Sequence, residues 1–418
     1  MKSALMPVAS LLLGVALLLT GQGLQGTLLP VRATMEAFST LSIGVMGGAY
    51  FLGFTAGCFK GGDLVARVGH VRVFAAMTAL ASAAPLLHGL ILEPITWTLL
   101  RTLTGFCFAV LYIVIESWLN EVSTNENRGM VFSTYVMITM SVFAIGQMMM
   151  LMYDPRELYL FGIVAVLISI AVVPVVMSTA PEPQKPHSAR VNLARLFRIS
   201  PAGTITSLCS GLTNGAFWSL APAVAVGLSG DLSMAAWFMS ANVVGGALSQ
   251  WPIGRLSDRV GRRPMLIICA ICSSIIAMLI VTRGNATGTS ALVTLGFLWG
   301  AAAFPQYAIA VANTNDYADP SEYVMVSSGL LLMYGLGAIV GPLIASVAMT
   351  YIGDTGLYVH TGIFHLVTAM YIGFRATRRT AAPERQHLDF NESLVAASTT
   401  SQVYEEETQQ ELADDAAI

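Results

Sequence analysis

The sequence predicts an all-α membrane protein: twelve transmembrane helices in two pseudo-symmetric six-helix bundles. Three observations predict it. Of 418 residues, 55% are hydrophobic and only 11% charged, against about 25% charged in a soluble domain; the mean hydropathy is +0.69. Apolar stretches near 20 residues, the length that crosses a hydrocarbon core, recur along the chain. The second half of the chain repeats the first at a near-constant offset.

The spans fall near 6–29, 40–59, 71–91, 95–119, 129–151, 158–178, 203–227, 233–253, 264–282, 289–312, 324–347 and 356–375. The first is too long, and leads too soon into a second, to be a cleaved signal peptide. Within it, residues 20–27 read TGQGLQGT, where Gly21, Gly23 and Gly26 satisfy G-x-G-x-x-G. That spacing binds a dinucleotide only between a strand and a helix. Here no strand precedes it, so the glycines are read as points of close helix approach. Gln22 and Gln25, three apart, share a helix face. Both are expected to face the bundle interior, because an amide turned to lipid is costly.

Charge sets the orientation. With the N-terminus inside, 17 Lys and Arg lie on the inner side and only Arg32, Arg156 and Arg283 outside, while Arg101 lies within a span. Both termini are therefore expected to be cytoplasmic. Between spans six and seven, Pro181, Pro183 and Pro186 oppose a helix, and Arg190 to Arg198 read as a short amphipathic helix on the inner surface. The expected organisation is a first bundle over 1–178, a cytoplasmic linker over 179–202, a second bundle over 203–378 and a tail over 379–418. After residue 380 the chain carries nine acids and one base, which predicts a disordered acidic tail.

The repeat is specific. An offset of 192 lays Gln22-Gly23 on Asn214-Gly215, Pro30 on Pro222, Gly53 on Gly245 and Arg67-Val68-Gly69 on Arg259-Val260-Gly261. An offset of 195 lays Gly105, Tyr112 and Glu121 on Gly300, Tyr307 and Asp316. Paired bundles of this kind build secondary transporters, with the substrate site between them near the midplane.

Six plus six spans, an inner linker and GRLSDRVGRRP at 254–264 together resemble the major facilitator superfamily. Gly254, Asp258, Arg259, Gly261, Arg262 and Arg263 fit its loop motif. Arg101-x-x-x-Gly105 is similar to a shorter family motif. RVGHVRVFAA at 67–76, ESWLNE at 116–121, NRG at 127–129 and QWPIGRLSDR at 250–259 resemble the YcaD-like branch of bacterial facilitators. The resemblance implies transport of a small-molecule substrate across the inner membrane by a monomer, with the loop charges acting as a gate. Arg259 is expected to pair with Asp316, as Arg67 with Glu121 beside Gly69, and the first-half gate to be weaker because Ala66 stands where the motif has Asp. Asp258 is accordingly expected to matter more than the off-register Asp63. Span five shows Gly146-Gln147 instead of the G-x-x-x-G-P of drug–proton antiporters, which weakens multidrug efflux.

Gln22, Gln25, Tyr50, Arg101, Asn214, Trp218, Asn242, Trp299 and Tyr307, with Gln250, are the candidate substrate-binding residues. The competing account is interhelical hydrogen bonding, worth about 0.6 kcal/mol per bond. As a set they suggest a cavity for a polar or aromatic molecule, with Gln22 and Asn214 paired by the repeat. Arg101 can either snorkel outward or hold an anionic group. Glu116, the clear acid inside a span, is the candidate proton carrier; it can also cap the gate by pairing with Arg67 or Arg128. His365 reads as an interior polar residue. No cofactor or metal is expected: Cys58, Cys107, Cys209, Cys269 and Cys272 all lie in apolar stretches. No nucleotide-binding G-x-x-x-x-G-K-[ST] and no catalytic H-E-x-x-H or G-x-S-x-G occurs, and no basic patch suits nucleic acid. Proton-coupled uptake is the leading expectation, with an ion-independent facilitator, an exporter of drugs or metabolites, and a transport-dead sensor as alternatives.

Overall fold

The computed structural model describes residues 9–121, 123, 128–177, 192–283, 288–319 and 322–378. The helices are α1 (Ala9–Met35), α2 (Thr40–Val68), α3 (His70–Leu90), α4 (Pro94–Glu121), α5 (Arg128–Met148), α6 (Leu158–Ile170), α7 (Val172–Val176), α8 (Leu193–Ile199), α9 (Pro201–Ser229), α10 (Ser233–Val260), α11 (Arg262–Arg283), α12 (Thr289–Ala303), α13 (Pro305–Asn315), α14 (Tyr323–Ile352) and α15 (Gly356–Ala376). A 3₁₀ turn at Met149–Met152 prolongs α5. α6 with α7, and α12 with α13, each form one passage in two pieces. A proline explains each break: it lacks an N–H and its ring crowds the carbonyl four residues back, Ile170 for Pro174 and Ala301 for Pro305. The described residues thus make twelve passages plus the short α8.

Ten passages are long and apolar enough to cross a membrane, which makes this a multi-pass membrane protein. The other two are α9 and α10. α9 carries Thr204, Thr206, Ser207, Ser210, Thr213, Asn214 and Ser219, all buried inside the protein, and α10 ends in Arg255, Asp258 and Arg259. Several helices outrun the spans expected from hydropathy. α2 continues to Val68 and α10 to Val260, because their last turns are polar and can leave the hydrocarbon while staying helical.

The repeat is visible in the backbone. Gly69 ends α2 with φ +94°, and Gly261, 192 residues on, ends α10 with φ +104°. Both lie in the left-handed region that favours glycine. A methyl at Gly105 would overlap the Tyr50 carbonyl, and one at Gly300 the carbonyl of Asn242, the counterpart of Tyr50. α2 therefore packs on α4 as α10 packs on α12. Gly21 and Gly23 lie within α1, as expected: a methyl at Gly21 would stand 2.9 Å from Ile168 Cγ1, and one at Gly23 would strike the Phe143 carbonyl.

The linker helix differs from expectation. The three linker prolines and Arg190 lie outside the described residues, as does the tail after residue 378. α8 starts at Leu193, capped by Asn192, whose Oδ1 accepts from the Arg195 N–H at 3.0 Å. It buries Leu196 and Ile199 against Val311, Val326 and Leu330, so one face packs on protein while Leu193 and Phe197 remain exposed. Arg195 Nε donates to Glu322 Oε1 at 2.8 Å, and this bond holds the Glu322 carboxyl below its ordinary range.

Candidate functional site

A cavity of about 560 Å³ lies between the two halves, within the range of small-molecule sites. α2 supplies Tyr50, Phe54 and Cys58 at a spacing of four, one face of a helix. α1 supplies Gln22 and Gly26 by the same rule, and α4 supplies Arg101 and Tyr112. Asn214 and Trp218 of α9, Gln250 of α10, Phe304, Tyr307 of α13 and Tyr334 of α14 complete the opposite wall.

Hydrogen bonds fix the first wall. Gln22 Nε2 donates to the Tyr50 hydroxyl at 2.7 Å, and the Tyr112 hydroxyl donates to Gln22 Oε1 at 3.0 Å. The Tyr50 proton is left free for another acceptor. The Arg101 guanidinium sits 4.1 Å above the Tyr50 ring, a cation–π contact. Aromatic packing fixes the second wall. Trp218 stacks on Phe304 at 5.4 Å and 14°, and Phe143 meets Trp218 edge-on at 5.5 Å. Tyr307 packs on Tyr334 at 5.0 Å.

Seven of the ten candidate binding residues line this space: Gln22, Tyr50, Arg101, Asn214, Trp218, Gln250 and Tyr307. Three do not. Gln25 is 1% exposed; it sits about 60° around α1 from Gln22, which turns it from the cavity into the packed interior. Asn242 spends its amide on its own helix, Nδ2 donating to the Phe238 carbonyl at 2.8 Å. Trp299 is fully buried, stacked on Phe217 at 4.7 Å. The lining residues that were missed include Tyr112, Phe143, Phe304 and Tyr334. Tyr112 carried a usable signal as the repeat mate of Tyr307, whereas a membrane aromatic such as Phe304 or Phe143 carries none.

The cavity is closed at one end and runs toward the other. At the α2 start, Gly44 and Gly47 sit against Ser346 and Ser219, and a methyl at Gly48 would stand 2.7 Å from the Ile339 carbonyl oxygen. Ser240 Oγ of α10 donates across the halves to the Ala144 carbonyl of α5 at 3.2 Å. In the other direction the lining reaches the exposed Phe59 and Asp63 at the far end of α2, and Ser328 on α14.

The loop-motif charges behave differently from expectation. Arg259, in the last turn of α10, is exposed and makes no ion pair among the described residues. The chain reverses at Gly261, and the buried Arg262 takes its place. Arg262 Nε lies 3.6 Å from Asp316 Oδ2, Arg262 pairs with Asp258, and its Nη1 donates to Ser257 Oγ at 2.8 Å. Arg263 lies 5.3 Å over the Tyr317 ring. The motif thus ties α10, α11 and the end of α13 within one half. Arg67 and Glu121 form no ion pair with each other. Glu116 is 6% exposed and stands behind the wall, one turn beyond Tyr112 on α4. His365 Nδ1 is 3.3 Å from Gln306 Oε1, and Gln306 Nε2 donates to Ser273 Oγ at 3.1 Å, the interior polar role expected of it.

A sequence model of the Major Facilitator Superfamily matches residues 11–202 and again 203–405. The chain is 27% identical over 382 residues to YcaD of Escherichia fergusonii, described as an uncharacterized MFS-type transporter, with 90% of this chain and 97% of that one covered. It is 26% identical over 355 residues to another such transporter, from Enterobacter sp. strain 638, covering 84% and 91%. In fold it is similar to a mutant of the nucleoside transporter NupG (TM-score 0.78, 15% identity, 88% and 99% covered). It is also similar to an inward-facing, occupied bacterial homologue of the lysosomal transporter Spinster (TM-score 0.71, 13% identity, 91% and 97% covered).

Proposed function

Because the chain belongs to the major facilitator superfamily, we propose that it is a secondary active transporter taking up a small organic solute together with protons. It works by alternating access across the cytoplasmic membrane. The observation that carries this reading is the cavity: both halves line it, it is closed where α2 meets α14, and among the described residues its lining reaches the exposed Phe59 and Asp63 at the other end. Rocking of bundle 1–178 against bundle 203–378, joined by linker 179–202, would move that seal from one end to the other. The charge distribution supports cytoplasmic termini, and with them an inner opening.

Proton coupling is supported by the place of Glu116. It stands one turn beyond Tyr112, whose hydroxyl bonds Gln22 and through it Tyr50. A change of charge at Glu116 therefore acts on the wall that meets the solute. Asp258, Arg262 and Asp316 brace the second bundle, so that it moves as a unit.

Proteoliposomes with an imposed pH gradient, screened against a radiolabelled solute library, test the reading. Wild type should accumulate a solute only while the gradient stands. Glu116→Gln should lose accumulation and keep solute exchange at equal pH. Accumulation that survives collapse of the gradient would remove proton coupling. Failure to exchange any solute would favour a sensor.

A further inference from the structure

Arg101 is the single cationic side chain among the described residues that line the cavity. No carboxylate lies within ion-pair distance of it among the described residues; its guanidinium lies over the Tyr50 ring, 4.1 Å away. The nearest acid along the chain, Glu93 just before α4, is about 12 Å away along the helix axis and caps that helix by accepting from the Ile95 and Thr96 N–H groups. Asp63 lies about 20 Å further along α2 than Tyr50, and Glu116 about 22 Å along Arg101's own helix, at 1.5 Å per residue. Two turns inside a membrane helix, a cation with no counter-ion is expensive. The ring face offsets only part of that cost. The missing negative charge is one.

The facing wall asks for something flat. Trp218 and Phe304 present a stacked aromatic surface, closed at its side by Phe143. Beside it, Asn214 is 6% exposed, and its Oδ1 accepts no hydrogen bond. A buried amide oxygen without a donor is a specificity element, because a ligand that supplies the donor removes its cost.

Resting on the transporter reading above, we propose that the solute is a planar aromatic monocarboxylate. Its carboxylate accepts from Arg101 and the Tyr50 hydroxyl, its ring packs on Trp218 and Phe304, and an N–H or O–H on the ring donates to Asn214 Oδ1. A dianionic phosphate would leave one charge unmatched.

The test is binding to the purified full-length protein in nanodiscs, read by thermal shift and titration calorimetry. The probes are indole-3-acetate, 4-hydroxybenzoate and nicotinate, each against its amide, with hexanoate as the acid lacking a ring. The proposal expects at least one aromatic acid to bind about tenfold more tightly than both its amide and hexanoate. Arg101→Gln should erase the preference for acid over amide, and Arg101→Lys, which keeps the charge, should retain it. Amides or hexanoate binding as well as the aromatic acids, or no acid binding, would overturn it without a variant being needed. An acid preference surviving in a folded Arg101→Gln would do the same. Binding of the acid without solute exchange supports the site while refuting transport; exchange of neutral solutes alone refutes the site while sparing transport.

Discussion

Gln22 of α1 donates its amide to the hydroxyl of Tyr50 on α2 at 2.7 Å. The same amide group accepts from Tyr112 of α4, so one side chain locks three helices into a single wall. Gln22→Ala removes the lock and lets Tyr50 turn. Its repeat mate Asn214 faces the same space from the other half. Each Ala substitution should raise the apparent KM for the transported solute about fivefold to tenfold, one hydrogen bond's worth of about 1 kcal/mol. Unchanged kinetics in both variants would return these residues to a packing role.

Arg262 and Asp316 are 5% and 2% exposed. Arg262→Gln removes a buried charge that pairs with both Asp316 and Asp258 and should cost about 3 kcal/mol of stability. Arg259→Gln, at an exposed position, should change stability by less than about 0.5 kcal/mol. Denaturation of the two variants in detergent checks the assignment, and equal losses would mean that the loop had been read in the wrong register.

Cys58 is the one cysteine among the described residues that line the cavity. In a chain keeping only that cysteine, maleimide should react much faster in inverted vesicles than in right-side-out ones. The opposite asymmetry would invert the proposed orientation.

Gly48 should be intolerant of bulk. Valine there collides with the Ile339 carbonyl at the sealed end, pushing the outer ends of α2 and α14 apart. Gly48→Val should therefore raise outside labelling of Cys58 several-fold. Gly26, also lining the cavity but with open space around it, serves as the control: Gly26→Ala should leave labelling unchanged.

The chain's hydropathy and repeat disclosed the helices and their pairing, since crossing lipid demands long apolar runs and repeated contacts demand repeated glycines. The site was half legible. Polarity inside a span marked Gln22, Tyr50, Arg101 and Asn214, but polarity also marks seams: Gln25 is packed away and Asn242 bonds its own helix. Spacing alone does not say which interior face meets the cavity. Trp299 and Trp218 look alike in sequence, yet only the second reaches the cavity. Arg259 was favoured over Arg262 because the repeat aligned it with Arg67. What decided between them was the reversal at Gly261, which turns Arg262 inward.

Alternating access itself is tested most directly by electron–electron distances in the full chain. Spin labels at Leu41 and Val347 report the outer ends, and labels at Arg67 and Arg259 the inner ends of the two symmetry-related helices. On acidification and addition of the solute found by uptake, the outer pair should gain a longer distance while the inner pair gains a shorter one in the same fraction of molecules. One unchanged distance for each pair under all conditions would contradict the account.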